Sequence, residues 1–193
     1  EPSPERMENA MAADALWKNW RIVASGYAAV WAKENTREAI FDAMKRREVY
    51  ATTGSRIAVR FFGGWNYQAD DIHSPTYLDT AYANGVPMGG DLTQAPKDAA
   101  PKFIVAADKD PDGANLDRVQ VVKGWLDHKG ELHEKVYDVA WSGHRKADAE
   151  TGKVPAVGNT VDVEQATYKN TIGRASLATV WQDPDFDRKE RAF

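Results

Sequence analysis

The chain contains no cysteine. That excludes disulfide staples, thiolate metal sites and a cysteine nucleophile, but it does not fix the compartment. No apolar run approaches the ~18 residues that a membrane-spanning helix needs. A charge excess of one sign is also lacking: 25 Lys and Arg stand against 29 Asp and Glu, a formal charge of −4. Nucleic-acid affinity rests on clustered cations that release counterions. The densest basic clusters, Lys45-Arg46-Arg47 and Arg188-Lys189-Glu190-Arg191, are short and sit among acids. They read as solvated faces, and no nucleic-acid partner is expected. Repeats, low-complexity tracts, a signal peptide and lipidation motifs are all missing from the sequence given.

What is present is ordinary globular composition. Apolar residues make up 42% of 193 residues, and a chain of this length buries roughly 70% of its unfolded surface without staples. Seven tryptophans promise a large aromatic core or an aromatic-lined cleft.

Periodicity divides the chain in two. Ser3-Pro4 reads as a cap followed by proline at the first helical position. Ala13, Leu16, Trp17 and Trp20 then form one apolar stripe, ended by Ser25-Gly26. The run from Tyr27 to Trp31 suits a strand covered on both faces. Asn35-Thr36-Arg37-Glu38 predicts a capping box, with the cap on Asn35 or slid to Thr36. Ile40, Ala43 and Met44 are the expected buried stripe of this helix. Strands follow at Val49 to Thr52 and Ile57 to Phe62, joined by a Thr53-Gly54-Ser55 turn. These helix–strand alternations read as the tail of an α/β unit.

After Gly63-Gly64 the chain becomes loop-rich, with one short helix predicted from Pro75 to Ala83 under a Ser74 cap. Strands are predicted at Lys102 to Ala107, Arg118 to Leu126, Glu131 to Trp141, Val161 to Tyr168 and Ser176 to Trp181. Their spacing predicts an antiparallel sandwich. The expected division is therefore 1–65 and 66–193, in an α+β fold.

Few motifs carry chemistry on their own. Asp108, Asp110 and Asp112, followed by Gly113, open like a calcium loop. The twelfth loop position is Val119 rather than a bidentate Glu, however, and Pro111 stiffens the fourth. A turn held by Asx hydrogen bonds is the expected reading, with the three aspartates as weak calcium candidates. His73, His128, His133 and His144 form no paired metal motif, although His128 and His133 flank a hairpin turn. No serine sits in a nucleophile elbow, and neither Gly-Gly pair makes a phosphate loop. Trp65, Trp125, Trp141 and Trp181 would line a carbohydrate-type platform or alternate into a sandwich core. The segment from Val49 to Ile57 offers Thr52, Thr53 and Arg56 at a strand end, where α/β folds open toward a ligand crevice. Threonines satisfying turn backbone groups explain the same residues equally well.

Those residues also carry a resemblance. Gly26-Tyr-Ala-Ala-Val-Trp-Ala32, Asn35-Thr-Arg-Glu-Ala-Ile40 and Arg46-Arg-Glu-Val-Tyr-Ala-Thr-Thr-Gly54 resemble a bacterial family catalogued as a domain of unknown function, number 3604. The likeness continues through Arg60-Phe-Phe-Gly-Gly-Trp65, Asp110-Pro-Asp-Gly-Ala-Asn-Leu-Asp117 and Val122-Lys-Gly-Trp125. It also takes in Val136-Tyr-Asp-Val-Ala-Trp141 and Asp183-Pro-Asp-Phe-Asp187. More distantly, the Arg46–Gly54 block resembles the polymerase-and-histidinol-phosphatase (PHP) metallohydrolases, carbaryl-esterase-like members included.

The resemblance implies that this chain is the C-terminal part of a longer protein. The terminal elements of a PHP-like α/β barrel would be followed by a β-sandwich. It implies hydrolysis of an ester or phosphoester in the parent, on Zn, Mn or Fe held by motifs upstream, with no metal or catalytic residue in the present chain. Thr52, Thr53 and Arg56 would then form crevice wall, Arg56 as an anion partner. The expected partners are the rest of the parent chain, its substrate, and a second copy through exposed edges. The family leans toward an extracytoplasmic location. Two rivals stand beside this reading. One is a tryptophan-rich module that binds a glycan or protein, and the other is a purely structural sandwich.

Overall fold

The computed structural model describes residues 26–193. The helix predicted between Ser3 and Ser25 lies outside them. The first described unit is a hairpin of β1 (Tyr27–Val30) and β2 (Val49–Thr52), paired antiparallel from Tyr27 opposite Thr52 to Val30 opposite Val49. Helix α1 (Arg37–Lys45) lies between them in sequence. Its cap is Thr36, extended at φ −120°, whose Oγ1 accepts the Ala39 N–H at 3.3 Å. Glu38 is then one residue short of the position from which a capping box closes. The other end closes as a Schellman motif. The Arg47 N–H reaches the Met44 carbonyl, the Glu48 N–H reaches the Ala43 carbonyl, and Arg47 takes the left-handed φ of 63°.

The expected buried stripe of α1 is narrower than its periodicity implied. Ala43 is fully buried and Ile40 half-buried, but Met44 is 53% exposed and neighbouring Phe41 63% exposed. A nine-residue helix over a two-stranded hairpin has too little opposing surface to cover three rows of side chains. For the same reason β1 is exposed or half-buried, not covered on both faces. The two strands of this unit are antiparallel, where the α/β-unit reading calls for parallel pairing.

The central sheet has the order β10-β5-β3-β4. Its strands are β3 (Ala58–Gly64), β4 (Gly85–Pro87), β5 (Lys102–Asp108) and β10 (Ser176–Gln182). Period-2 alternation gives the sheet two faces. Phe62 and Ile104 point one way and form the core with Tyr67 and Ala81. Ile72, Tyr77, Leu78 and Val180 pack around them. This face is covered by a 3₁₀ turn (Ala69–His73) and by α2 (Tyr77–Asn84); Thr76 takes the N-cap position without a side-chain cap bond, and the Ser74 hydroxyl accepts the Thr76 N–H. The other face carries buried Val105, Ala107 and Leu177. A run of ring contacts crosses the same face: Phe61 to Phe103 at 5.2 Å and Phe103 to Trp181 at 5.7 Å.

A second sheet, β11-β6-β7, is built from β6 (Arg118–Leu126), β7 (Leu132–Trp141) and β11 (Arg191–Ala192). It meets the first where Tyr137 of β7 lies 5.0 Å from Trp181 of β10. The strand predicted from Val161 to Tyr168 is instead a small hairpin, β8 (Val161–Asp162) and β9 (Thr167–Tyr168). The Asp162 carboxylate accepts the Gln165 N–H and turns the chain. Every strand pairing among the described residues is antiparallel. With its few helices, the fold is α+β and mostly β. Strand β3, read from sequence with the first 65 residues, lies inside the central sheet between β4 and β5.

Candidate functional site

The β2–β3 turn places Thr52 and Thr53 together. Thr52 ends β2 opposite Tyr27, and its Oγ1 accepts the Gly54 N–H at 3.4 Å. Gly54 has φ 135°, a conformation a side chain would oppose. Thr53 is exposed on the turn. Arg56 does not open beside them. Its backbone N–H donates to Asp110 Oδ2 at 2.6 Å. Its guanidinium donates to Asp110 Oδ1 at 3.4 Å and to Asp112 Oδ2 at 2.5 Å. The N–H groups of Arg56 and Asp112, together with the guanidinium, hold the Asp110 carboxyl below its ordinary pKa. Arg56 thus faces two anions of its own chain, and an incoming anion must compete with them.

The same contacts describe the calcium candidates. Asp110 and Asp112 turn to Arg56, while Asp108 accepts a hydrogen bond from the Ser176 hydroxyl at 2.5 Å. Lys109 Nζ donates to the carbonyls of Asp110, Pro111 and Gly113. The expected turn held by Asx contacts is present: Asp110 Oδ1 accepts the Asp112 N–H at 3.0 Å.

Four charged groups that the sequence reading did not single out are buried. Glu48, at the foot of α1, accepts from the Tyr82 hydroxyl. It lies 3.3 Å from Arg46 Nη2 and 3.8 Å from Arg60 Nη1. Burial, then the bond to Glu48, pushes the Tyr82 phenol above its ordinary pKa. Arg60 stacks 3.3 Å from the Trp31 ring centre, and Trp31 Nε1 donates to the Val59 carbonyl at 2.9 Å. Through these contacts the β1–α1–β2 unit is fastened to the central sheet. In the second sheet Asp138 accepts from Arg118, Gln120 and the Val154 N–H. Lys123 pairs with Asp183 at 2.7 Å. Three of the four have a sequence signature: Glu48 ends a basic run, and Asp138 and Lys123 interrupt apolar strands. A charge at an inward strand position marks a buried pair.

The histidines do not converge. His133 stands opposite Trp125 across β6–β7 and stacks on it at 5.2 Å, and His128 occupies the exposed turn. One trio of metal-type side chains comes together among the described residues: Asp127, Glu131 and His133 at the hairpin tip. Asp127 Oδ1 there accepts the N–H groups of Lys129 and Glu131, and Oδ2 lies 2.9 Å from His133 Nε2. The trio closes the turn. The tryptophans make no ring contacts with one another among the described residues. Trp65, Trp125, Trp141 and Trp181 are each half-buried, and Trp65 and Trp141 donate their indole N–H to backbone carbonyls.

The blocks that carry the resemblance therefore map onto joints. Arg46–Gly54 holds Glu48, Asp110–Asp117 holds Arg56, and Asp183–Asp187 holds Lys123. A family model described as "Protein of unknown function (DUF3604)" matches residues 1–193. The chain belongs to the DUF3604 family. No curated protein and no solved structure matches it. In this DUF3604 chain no described helix is long and apolar enough to cross a membrane.

Proposed function

We propose that this chain is a supporting, non-catalytic part of a metal-dependent hydrolase. It braces the wall of a substrate crevice without holding the metals. One observation carries the supporting role. Among the described residues, no buried side-chain nitrogen or oxygen lacks a hydrogen-bond partner. The buried charges Glu48, Asp110, Lys123 and Asp183 are each paired within the chain. Reacting groups are kept unneutralised or pKa-shifted toward their task, whereas these are spent on cohesion. Thr52 and the exposed Thr53 remain the crevice-wall candidates, with Arg56 as a positioning residue tied to the Asp110 loop.

The reaction class rests on the resemblance of the Arg46–Gly54 block to PHP metallohydrolases. Zn, Mn or Fe would lower the pKa of bound water and polarise an ester or phosphoester. The described residues do not fit such a centre. Their one trio is an exposed hairpin tip in which Asp127 is already held by two backbone N–H groups and His133. The test is chromogenic ester and phosphodiester hydrolysis by this chain in Zn²⁺, Mn²⁺ or Fe²⁺. No turnover above buffer is expected. Turnover that disappears in Asp127→Asn or His133→Ala would place a catalytic centre in the chain and overturn the reading.

A further inference from the structure

The loop from Asp108 to Asp117 begins like a cation loop and already contains a cation. The Lys109 ammonium has three N–H donors, and three carbonyl oxygens receive them: Asp110 at 2.8 Å, Pro111 at 2.9 Å and Gly113 at 3.0 Å. The fourth carbonyl of this stretch, that of Asp112, accepts the Tyr168 hydroxyl at 3.0 Å. The Lys109 backbone N–H is bonded to the Ala175 carbonyl at 2.8 Å, so the stem starts from a fixed point. The loop is closed by the Gly113 N–H on the Asp110 carbonyl at 2.9 Å, and proline at 111 fixes one φ angle. Convergent backbone carbonyls are how proteins hold hard cations. An ammonium on a short tether holds such a seat at high effective concentration, with no metal to be captured.

We infer that the Asp108–Asp117 loop is a cation-binding loop whose resident cation is the chain's own Lys109 ammonium. Removing that side chain opens a site for a free ammonium ion. The carbonyl seat is satisfied by a monovalent nitrogen cation, and the adjoining carboxylates of Asp110 and Asp112 are both paired with Arg56, so the charges of Lys109 and Arg56 together balance the two aspartates. Together they leave no vacancy for Ca²⁺ in the wild-type protein. The loop that orients Arg56 is therefore independent of calcium supply.

The experiment is cation rescue followed by thermal unfolding of the 193-residue chain. Lys109→Ala is expected to lower Tm by about 5 °C or more, the scale of lost charge-assisted hydrogen bonds in a domain of this size. Ammonium chloride should return at least ~2 °C of that relative to sodium chloride at equal ionic strength, as a bound ligand does. Lys109→Met, which fills the stem's path without a charge, should not respond. An alanine variant as stable as wild type, or one restored equally by sodium, overturns the inference. If the alanine variant does not fold, reductive methylation of the native wild-type protein decides. Lys109 should be protected relative to exposed Lys97 and Lys129, and equal modification overturns it. Micromolar Ca²⁺ binding by wild type in calorimetry would also overturn it, because Ca²⁺ and the ammonium cannot share one seat.

Discussion

Gly85 has no room for a methyl group. Its φ is extended, so the requirement is space: a Cβ there would overlap the Tyr67 phenol and the Gly63 carbonyl. Tyr67 is itself fixed, fully buried with its hydroxyl donating to the Ala81 carbonyl at 2.7 Å. Gly85→Ala is expected to cost about 1–3 kcal/mol by overpacking, read as a lower urea midpoint with unchanged slope. Asp138 shows the complementary case. Its side chain is 0% exposed and accepts from Arg118, Gln120 and the Val154 N–H, so Asp138→Ala would leave the Val154 N–H without its acceptor at a cost of about 1–3 kcal/mol, while Arg118 keeps Asp117 and two backbone carbonyls. Arg56 shows why sequence alone could not place the candidate site. The Thr-Thr-Gly turn is readable from neighbouring residues, but the acids that claim Arg56 lie 54 and 56 positions away. Spacing carries no signal over that range. The hairpin-tip carboxylate gives a pH test. The His133 contact, then the Glu131 N–H, hold Asp127 at a pKa of about 2, below the ~3.9 of an unfolded chain. Its contribution is present above the unfolded value and is lost as pH falls through about 2. Asp127→Asn should therefore flatten the acid limb of the stability–pH curve below pH 5 and lower the plateau above it.

Elements were legible where side-chain alternation is long. Strand β6 has the predicted bounds, Arg118–Leu126, and β5, β7 and β10 differ by a residue at one end. Strands β4 and β11 were not, because three and two residues carry no period and exist only by pairing with β3 and β6. Helix α1 was found, but its burial was misjudged. The stripe in the sequence states which residues are apolar, and the narrow hairpin beneath decides how many are covered. Its C-terminal end offers a stability test. Arg47 holds a left-handed conformation in a Schellman motif, where a side chain costs about 1 kcal/mol that glycine avoids. Its ion pair with Asp91 joins two exposed groups and contributes little. Arg47→Gly should therefore raise stability by about 0.5–1 kcal/mol in denaturant titration.

At the scale of the whole molecule, three internally neutralised joints hold the sheets and the α1 hairpin together. Glu48 fastens the hairpin to the central sheet. Arg56 ties the β2–β3 turn to the loop after β5, and Lys123 ties the second sheet to the segment after β10. The blocks that carry the family resemblance supply these joints, and because their partners lie far apart in sequence, spacing does not reveal them as alternation reveals the antiparallel strands. The most direct measurement is metal content. The purified chain is loaded with Zn²⁺, Mn²⁺ or Fe²⁺, dialysed and analysed for metal. The account predicts well below one equivalent retained. One or more equivalents, lost in His133→Ala, would contradict it.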